Sequence, residues 1–443
     1  MSACYAGIRA AMTASAQPKR LLLLSSKFGY QTKAFADAAV RVGAEVLFGT
    51  DRCRRLDDPW GDAALPLHFE DPENSAEKIV RLSAKLPFDA ILALGDHPAL
   101  AAAHAARRLG LRGNPVSAVE NCATKLRQRQ TLAAAGLPVP SFFDFRLDDP
   151  LAEILSRVRF PCVLKPLVLA ASQGVIRADD PAGFDRALNR IRALVESPPV
   201  RAGHREGLDR LLVESYVPGR EVAVEGLLVD GNLRVLAIFD KPDPLEGPFF
   251  EETIYVTPSR LPLAAQNAIR DCAQDAVRAL GLTDGPLHAE FRVEGDRPWA
   301  LELQPRPIGG LCARALRFGP ARIGLEELLV RRALDIPGWQ DEREPEASGV
   351  MMIPVPHSGI LEGVAGVEEA QATPGIVGLE ITARLRDPLI AWPEGSSYPG
   401  FLFARADSPA AVESALRKAH ACLRFEISDE LPVEHPAAHE RSA

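Results

Sequence analysis

Residues 287–310, LHAEFRVEGDRPWALELQPRPIGG, alternate apolar and polar side chains on both sides of the short segment Glu294-Gly295-Asp296-Arg297-Pro298. Ala289, Phe291 and Val293 interleave with His288, Glu290 and Arg292; Trp299, Leu301 and Leu303 then interleave with Glu302, Gln304 and Arg306. A period of two on either side of a turn predicts a β-hairpin. A turn centred on Asp296 sets Phe291 opposite Leu301 and Glu290 opposite Glu302. Opposed side chains stand about 5 Å apart at Cβ, and two carboxylates there repel by roughly 3 kcal/mol at an effective dielectric near 20. A cation is therefore expected between them. Oxygen donors from Glu290, Glu302 and the Gln304 carbonyl suit Mg²⁺ or Mn²⁺ rather than zinc. The alternative is a solvated strand face on which Arg292 and Arg306 neutralise the two acids. The sequel PRPIGG favours a site, because Arg306 shares the face and Gly309-Gly310 let backbone N–H groups approach an anion.

At 443 residues the chain exceeds what one core supports and fits roughly two to four domains. With 47% apolar and 25% charged residues it has an ordinary soluble composition. A net charge of -8 argues against nucleic acid or an anionic membrane as the main partner. The seven cysteines, Cys4, Cys53, Cys122, Cys162, Cys272, Cys312 and Cys422, show no CxxC spacing and are odd in number. That argues against a disulfide framework and for the reducing cytoplasm. None of the nine histidines forms HExxH, so zinc is not expected. No run approaches the length of a bilayer span. Residues 1–18 lack a signal-peptide core and read as a disordered leader, with Met12 as an alternative start.

From Lys19 the order is strand, loop, helix, strand (RLLLLSS, KFGYQTKAFADAAVRVG, AEVLFGT), repeated where FDAILALGD leads into HPALAAAHAARRLG. This βαβ alternation predicts a parallel sheet with covered faces, a Rossmann-like unit over 19–115. Its first loop carries only Gly29, so the dinucleotide fingerprint is missing. Residues 118–135 predict one helix, closed by Gly136, with Lys125 inside it. In FPCVLKPLVLAASQGV, Lys165 lies within an apolar strand and must sit on an edge or meet an anion. A polar, mobile loop is expected at SPPVRAGHREG. Three strands follow in LLVESYVPGREVAVEGLLVDGNLRVLAIFDK, split at VPGR and at the turn DGN. Glu214 and Glu221 flank the first break, and Lys241 closes the last strand. Surface ion pairs with Arg210 or Arg220 are the other reading of those two acids. The charged stretch WQDEREPEASG reads as a linker to a small α+β domain over 345–427, followed by a frayed tail, 428–443.

In this order, the lysine helix, the strand lysine, the Glu-rich hinge and the acidic hairpin resemble the ATP-grasp superfamily of carboxylate-amine ligases. Coverage runs from about Lys19 to Leu334. The tail domain resembles that of bacterial L-amino-acid ligases, which make dipeptides. The resemblance implies an α/β ATP-grasp fold over 116–335 with a mobile lid at about 140–217, set after the Rossmann-like domain. It further implies that Lys125 and Lys165 contact ATP phosphates beneath a loop carrying Ser172 and Gly174. Glu214 would hold the adenine amino group, the backbone at Tyr216 and Val217 the adenine edge, and Glu221 the ribose. Glu290 and Glu302, with Gln304, would bind Mg²⁺ or Mn²⁺. Arg306, Lys165 and Lys241 would be catalytic, Arg306 by stabilising charge during phosphoryl transfer. Glu252 and Tyr255 would contact the substrate amine, and Gly309 and Gly310 the substrate carboxylate.

The chain departs from the resemblance in three places. Gln304 stands where the superfamily usually has Asn, the phosphate loop has the single glycine Gly174, and Tyr255 stands near a position held by histidine in several dipeptide-forming relatives. The implied activity is ATP-dependent joining of a carboxylate to an amine, through an acylphosphate, by a cytoplasmic enzyme, and the resemblance also points to a homodimer. A biotin carboxylase-like reaction and a non-catalytic nucleotide-binding regulator are the rival readings.

Overall fold

The computed structural model describes residues 18–26, 29–51, 64–201 and 207–428. The expected leader, the tail beyond Ser428 and part of the SPPVRAGHREG loop lie outside them.

Strand β1 (Arg20–Ser25), helix α1 (Tyr30–Arg41), β2 (Glu45–Thr50), β3 (Ala64–Pro66), α2 (Pro72–Lys85), β4 (Ala90–Leu94) and α3 (Asp96–Leu109) come first. Their strands form a parallel sheet in the order β3-β2-β1-β4. The unbroken leucines of β1 are explained by burial on both faces. Leu21 and Leu23 pack with Phe35 and Ala39 of α1, while Leu22 and Leu24 pack with Ile79 of α2 and Ala101 of α3.

Where one helix was expected over 118–135, there are two, α4 (Val116–Cys122) and α5 (Lys125–Ala134). Thr124 is extended and its side chain accepts the Arg127 amide, capping the second helix. A residue committed to that cap cannot continue the helix before it. Lys125 is therefore the first residue of α5, not an interior one.

Next come β5 (Phe142–Arg146), α6 (Leu151–Arg157), β6 (Cys162–Pro166), β7 (Ile176–Ala178), α7 (Pro181–Glu196), α8 (Pro198–Arg201) and β8 (Arg210–Ser215). They make a four-stranded sheet, β5-β8-β6-β7, with its own core around Phe184 and Ile191. Strand β6 lies between β8 and β7, but its pairing with β7 ends at Leu164, so Lys165 is paired on one side only, with Leu212 of β8.

The remaining elements are β9 (Arg220–Val229), β10 (Asn232–Asp240), β11 (Ile254–Thr257), α9 (Leu263–Leu280), β12 (Gly285–Glu294), β13 (Arg297–Gln304), α10 (Leu325–Ala333), β14 (Ala347–Met352), β15 (Gly359–Ala365), α11 (Val367–Gln371), β16 (Ile376–Ile381), β17 (Pro388–Leu389), β18 (Gly400–Ala406), α12 (Pro409–Cys422) and β19 (Arg424–Ser428). One eight-stranded sheet runs β13-β12-β9-β10-β11-β14-β18-β16. The C-terminal region thus extends the central sheet through β14, β18 and β16, and adds a small sheet, β17-β15-β19.

The hairpin forms, with a shorter turn than the sequence suggested. Glu294 pairs with Arg297, so only Gly295 and Asp296 lie between the strands. Farther along, Glu290 pairs with Glu302 as expected, whereas Phe291 pairs with Ala300 rather than Leu301. Leu301 is the extra residue of a β-bulge, which makes up the offset between the two-residue turn and the acid pair. Its carbonyl accepts from the buried Arg129 guanidinium of α5. Ala289, Phe291, Ala300 and Leu303 are buried against α9, including Ile269 and Ala273, which leaves the acidic face for the cavity.

Candidate active site

A cavity of about 540 Å³ lies between the two sheets of 116–335, the carboxyl end of β4 and the segment before β18. Lys125 and Lys165 reach it from α5 and β6, and Glu214, Tyr216 and Val217 line it as well. Lys165 meets an anion in Glu214, Nζ to Oε2 being 2.6 Å. The other carboxylate oxygen accepts from Arg129 Nε at 2.5 Å. Burial alone would push Glu214 up, but Arg129 and Lys165 outweigh it and hold the acid at about 2. Arg210, offered above as its surface partner, pairs with Asp144 instead. Lys125 donates to the Leu169 carbonyl at 2.6 Å, at the start of the loop that carries Ser172. The Tyr216 amide donates to Pro161, and the Val217 carbonyl accepts from Arg292 at 2.7 Å, which fixes the hinge.

The middle of the cavity is acidic. Glu221, Glu252 and Glu290 offer oxygens within 4.8 Å of one another. Lys241 lies among them, 2.8 Å from Glu221, 2.5 Å from Glu252 and 3.1 Å from Glu290. Burial would pull the lysine down, but the three carboxylates hold it well above its ordinary range. Glu290 is kept well below its own, Lys241 and His288 overcoming its burial. Burial and the Glu290 charge push Glu252 up to about 7, and its other oxygen accepts from Tyr255 Oη at 2.5 Å.

Glu302 faces the cavity from the partner strand, and its carboxylate accepts from the Gln304 amide at 2.9 Å. Gln304 thus stands behind Glu302, not on the cavity wall. The arginine-neutralised face does not form. Arg292 pairs with Glu221 at 3.2 Å, and Arg306 pairs with Asp96 at 2.5 Å. An all-oxygen set on adjoining strands, already holding a buried cation, fits a hard divalent ion better than zinc.

Arg306 closes the far side of the acids. Asp96 begins α3 just after Gly95, and its pairing with Arg306 outweighs burial to hold the Asp96 carboxyl down. Gly309 and Gly310 line the cavity beyond Arg306. Gly310 has φ +63, and a Cβ there would meet the Phe401 ring at 2.9 Å, so only glycine fits without a shift.

Ser172 lines the cavity, while Gly174 lies behind it, its amide donating to the Pro393 carbonyl at 3.0 Å. The structure therefore gathers Lys125, Lys165, Ser172, Glu214, Tyr216, Val217, Glu221, Glu252, Tyr255, Glu290, Glu302, Arg306, Gly309 and Gly310 on one cavity, with Lys241, Gln304 and Gly174 in its supporting layer.

Several groups were missed from sequence. His288 sits two residues before Glu290, on the same strand face; its Nδ1 is 2.5 Å from Glu225 and its Nε2 3.5 Å from Glu290. Burial would lower it, but Glu225 outweighs that and lifts it to about 9, so the ring is cationic at neutral pH. Arg129 is four residues after Lys125, on the same helix face, a spacing legible in the sequence. Asp96 had no local signal beyond its place at the strand-to-helix junction.

Family profiles match three stretches: an ATP-grasp N-terminal domain over residues 36–113, an ATP-grasp domain over 158–315 and an L-amino acid ligase C-terminal domain 2 over 351–428. The chain is similar to alanine–anticapsin ligase of Bacillus amyloliquefaciens, with 29% identity over 302 residues, 63% of this chain and 62% of that one. The crystal structure of an L-amino acid ligase from Bacillus licheniformis superposes with TM-score 0.78 at 28% identity, covering 94% of this chain and all of the other. A biotin carboxylase from Campylobacter jejuni shares the fold, with TM-score 0.65 at 16% identity over 93% of this chain and 92% of its own. This chain spans 62–65% of the length of curated relatives such as the first of these.

Proposed function

Because the chain carries the ATP-grasp fold followed by an L-amino acid ligase C-terminal domain, we infer that it is an ATP-dependent ligase joining the carboxylate of one amino acid to the amine of another. The observation that carries this reading is the single cavity lined together by Lys125 and Lys165, by Glu221, Glu252, Glu290 and Glu302, and by Arg306 with Gly309 and Gly310. That set supplies cations for a triphosphate, acids for a divalent metal, and a cation with backbone donors for the carboxylate to be activated.

Adenine fits the end lined by Glu214, Tyr216 and Val217, and the triphosphate runs past Lys165 and Lys125. Glu290 and Glu302 would hold Mg²⁺ or Mn²⁺, with Glu221 and Glu252 close by. The metal would supply positive charge to the phosphate oxygens. The substrate carboxylate is drawn to Arg306 and to the backbone at Gly309 and Gly310. One of its oxygens attacks the γ-phosphorus; the bond to the β-phosphate oxygen breaks, giving an acylphosphate and ADP. Arg306, always charged and fixed by Asp96, faces the charge that builds there. The amine then attacks the acyl carbon, phosphate leaves with the acyl C–O electron pair, and the nitrogen loses a proton. Glu252, at about 7, has the affinity to hold an amine or take up that proton. The loop around Ser172 excludes water while the acylphosphate exists.

A biotin carboxylase-like reaction is less supported, since the carboxylase likeness is one of fold alone while the 351–428 match is to an amino acid ligase domain. A cytoplasmic site of action belongs to the same reading, and the described cysteines, all free, are in keeping with it. The test is incubation with ATP, Mg²⁺ and pairs of amino acids, following ADP release and product mass together. ADP release with a product one water lighter than the summed substrates is expected; no ADP with any pair of a broad panel rejects the reading.

A further inference from the structure

The phosphate loop is held by a segment the mechanism above does not use. Ala171 and Ser172 have φ +55 and +53, the left-handed region that residues with a Cβ enter at a cost. The loop has one glycine, so it cannot reach this shape cheaply by itself. Its restraint comes from the segment 391–398 between β17 and β18. Trp392 Nε1 donates to the Ala171 carbonyl at 3.1 Å, the Gly174 amide to the Pro393 carbonyl at 3.0 Å, and the Gln173 side-chain amide to the Glu394 carbonyl at 2.7 Å. From α7, the Arg190 guanidinium grips the Glu394 carboxylate with both arms, one at 2.9 Å.

The same segment faces the substrate end. Ser396, Ser397 and Tyr398 line the same cavity as Ala170, Ala171 and Ser172. The Tyr398 ring stacks on Trp392 with centroids 4.7 Å apart. Trp392 therefore bridges the cavity wall to the phosphate loop.

We propose that the segment 391–398 is a latch fixing the phosphate loop for ATP, with Trp392 and Glu394 as positioning residues. The hydrogen bonds from Trp392 and to Pro393 and Glu394 hold the left-handed pair at Ala171 and Ser172 in place of the glycines that would otherwise allow it. This rests on the ATP-dependent reading above for its consequence, not for the contact.

Trp392→Phe keeps the ring and its stack and removes the Nε1 donor. Glu394→Gln is a half-exposed change that removes the ion pair and leaves the backbone carbonyl in place. In the full chain without nucleotide, amide exchange across 170–174 is expected to quicken about tenfold in Trp392→Phe, as loss of one hydrogen bond implies, and less in Glu394→Gln. KM for ATP is expected to rise about five- to tenfold, with kcat held within about twofold, and Ala171→Gly in the Trp392→Phe background should recover most of the loss. Faster exchange with an unmoved KM, or a moved KM with unmoved exchange, overturns the latch. A wild-type protein that turns over no ATP rejects the ligase reading alone; affinity for Mg-ADP by calorimetry then replaces KM, and equal affinity in Trp392→Phe and wild type overturns the latch.

Discussion

Lys241 sets its ammonium 3.1 Å from the Glu290 carboxylate while exposing only 2% of its own side chain. Without it, Glu221 would keep Arg292 at 3.2 Å and Glu290 would keep His288 at 3.5 Å, but no cation would stand between the three acids, and Glu252 would lose its ion pair. Removing one member of a buried ionic cluster typically costs about 3–5 kcal/mol. Lys241→Met is therefore expected to lower the thermal midpoint steeply in chelator, and Mg²⁺ should raise it more in the variant than in wild type. Equal Mg²⁺ responses of the two proteins, followed by differential scanning fluorimetry, would show that the acids do not need a cation.

Glu290 and Glu302 are opposed in register but not equivalent. Glu290 balances Lys241, so Glu290→Gln should cost about 1–3 kcal/mol in urea unfolding as well as turnover. Glu302 accepts only from Gln304 among the side-chain contacts described, so Glu302→Gln should leave the unfolding midpoint near wild type and still abolish most turnover. Normal ADP release by Glu302→Gln would remove that residue from the site.

The Arg306–Asp96 pair makes a prediction about geometry rather than charge. Arg306→Lys keeps the cation and loses the planar fork, so kcat should fall by about a hundredfold or more with KM for ATP little changed. A rise in KM with kcat unchanged would place Arg306 in binding rather than in the charge-developing step.

Glu214 gives a pH dependence. Its pKa is depressed from 4.5 to about 2, so it contributes stability that is complete above 4.5 and lost as pH falls through about 2. By the size of that shift the contribution is on the order of 3 kcal/mol. Midpoints measured between pH 5 and 2 should decline in wild type, and Glu214→Gln should lack that share of the slope. Parallel declines would mean other acids carry it.

Burial lifts the thiols of Cys122 and Cys162 to about 12 and of Cys272 to about 11, with Cys312 raised as well. At pH 8 their thiolate fraction is about one in a thousand or less. Mapping of iodoacetamide labelling should find Cys422, which is only partly buried, modified well before these four.

Much of the site was legible because its chemistry sits at fixed spacing on single elements. Alternation set Glu290 across from Glu302, even though the turn was shorter and the Phe291 partner was Ala300, because the bulge at Leu301 restored the register. Lys165 announced itself as a charge inside an apolar strand, and burial beside Glu214 is the anion that this required. What sequence could not show is assembly from distant segments. Lys241 meets acids from β9, β12 and the segment before β11, and no local pattern records that meeting. Arg306 looked like a partner for the hairpin glutamates, yet Asp96 lies closer once β4 comes alongside. The break at Thr124 escaped because helix propensity on both sides is good and only the cap marks the boundary.

The eight-stranded sheet passes without interruption from the hairpin to β16, with β14 hydrogen-bonded to β11. A graft that exchanges the region after residue 346 for that of a relative would therefore replace β11's neighbour in mid-sheet, leaving a bare strand edge wherever the new register failed to match. Recombination to alter specificity has to respect that seam, and swapping only the cavity-facing loop between β17 and β18 leaves it intact.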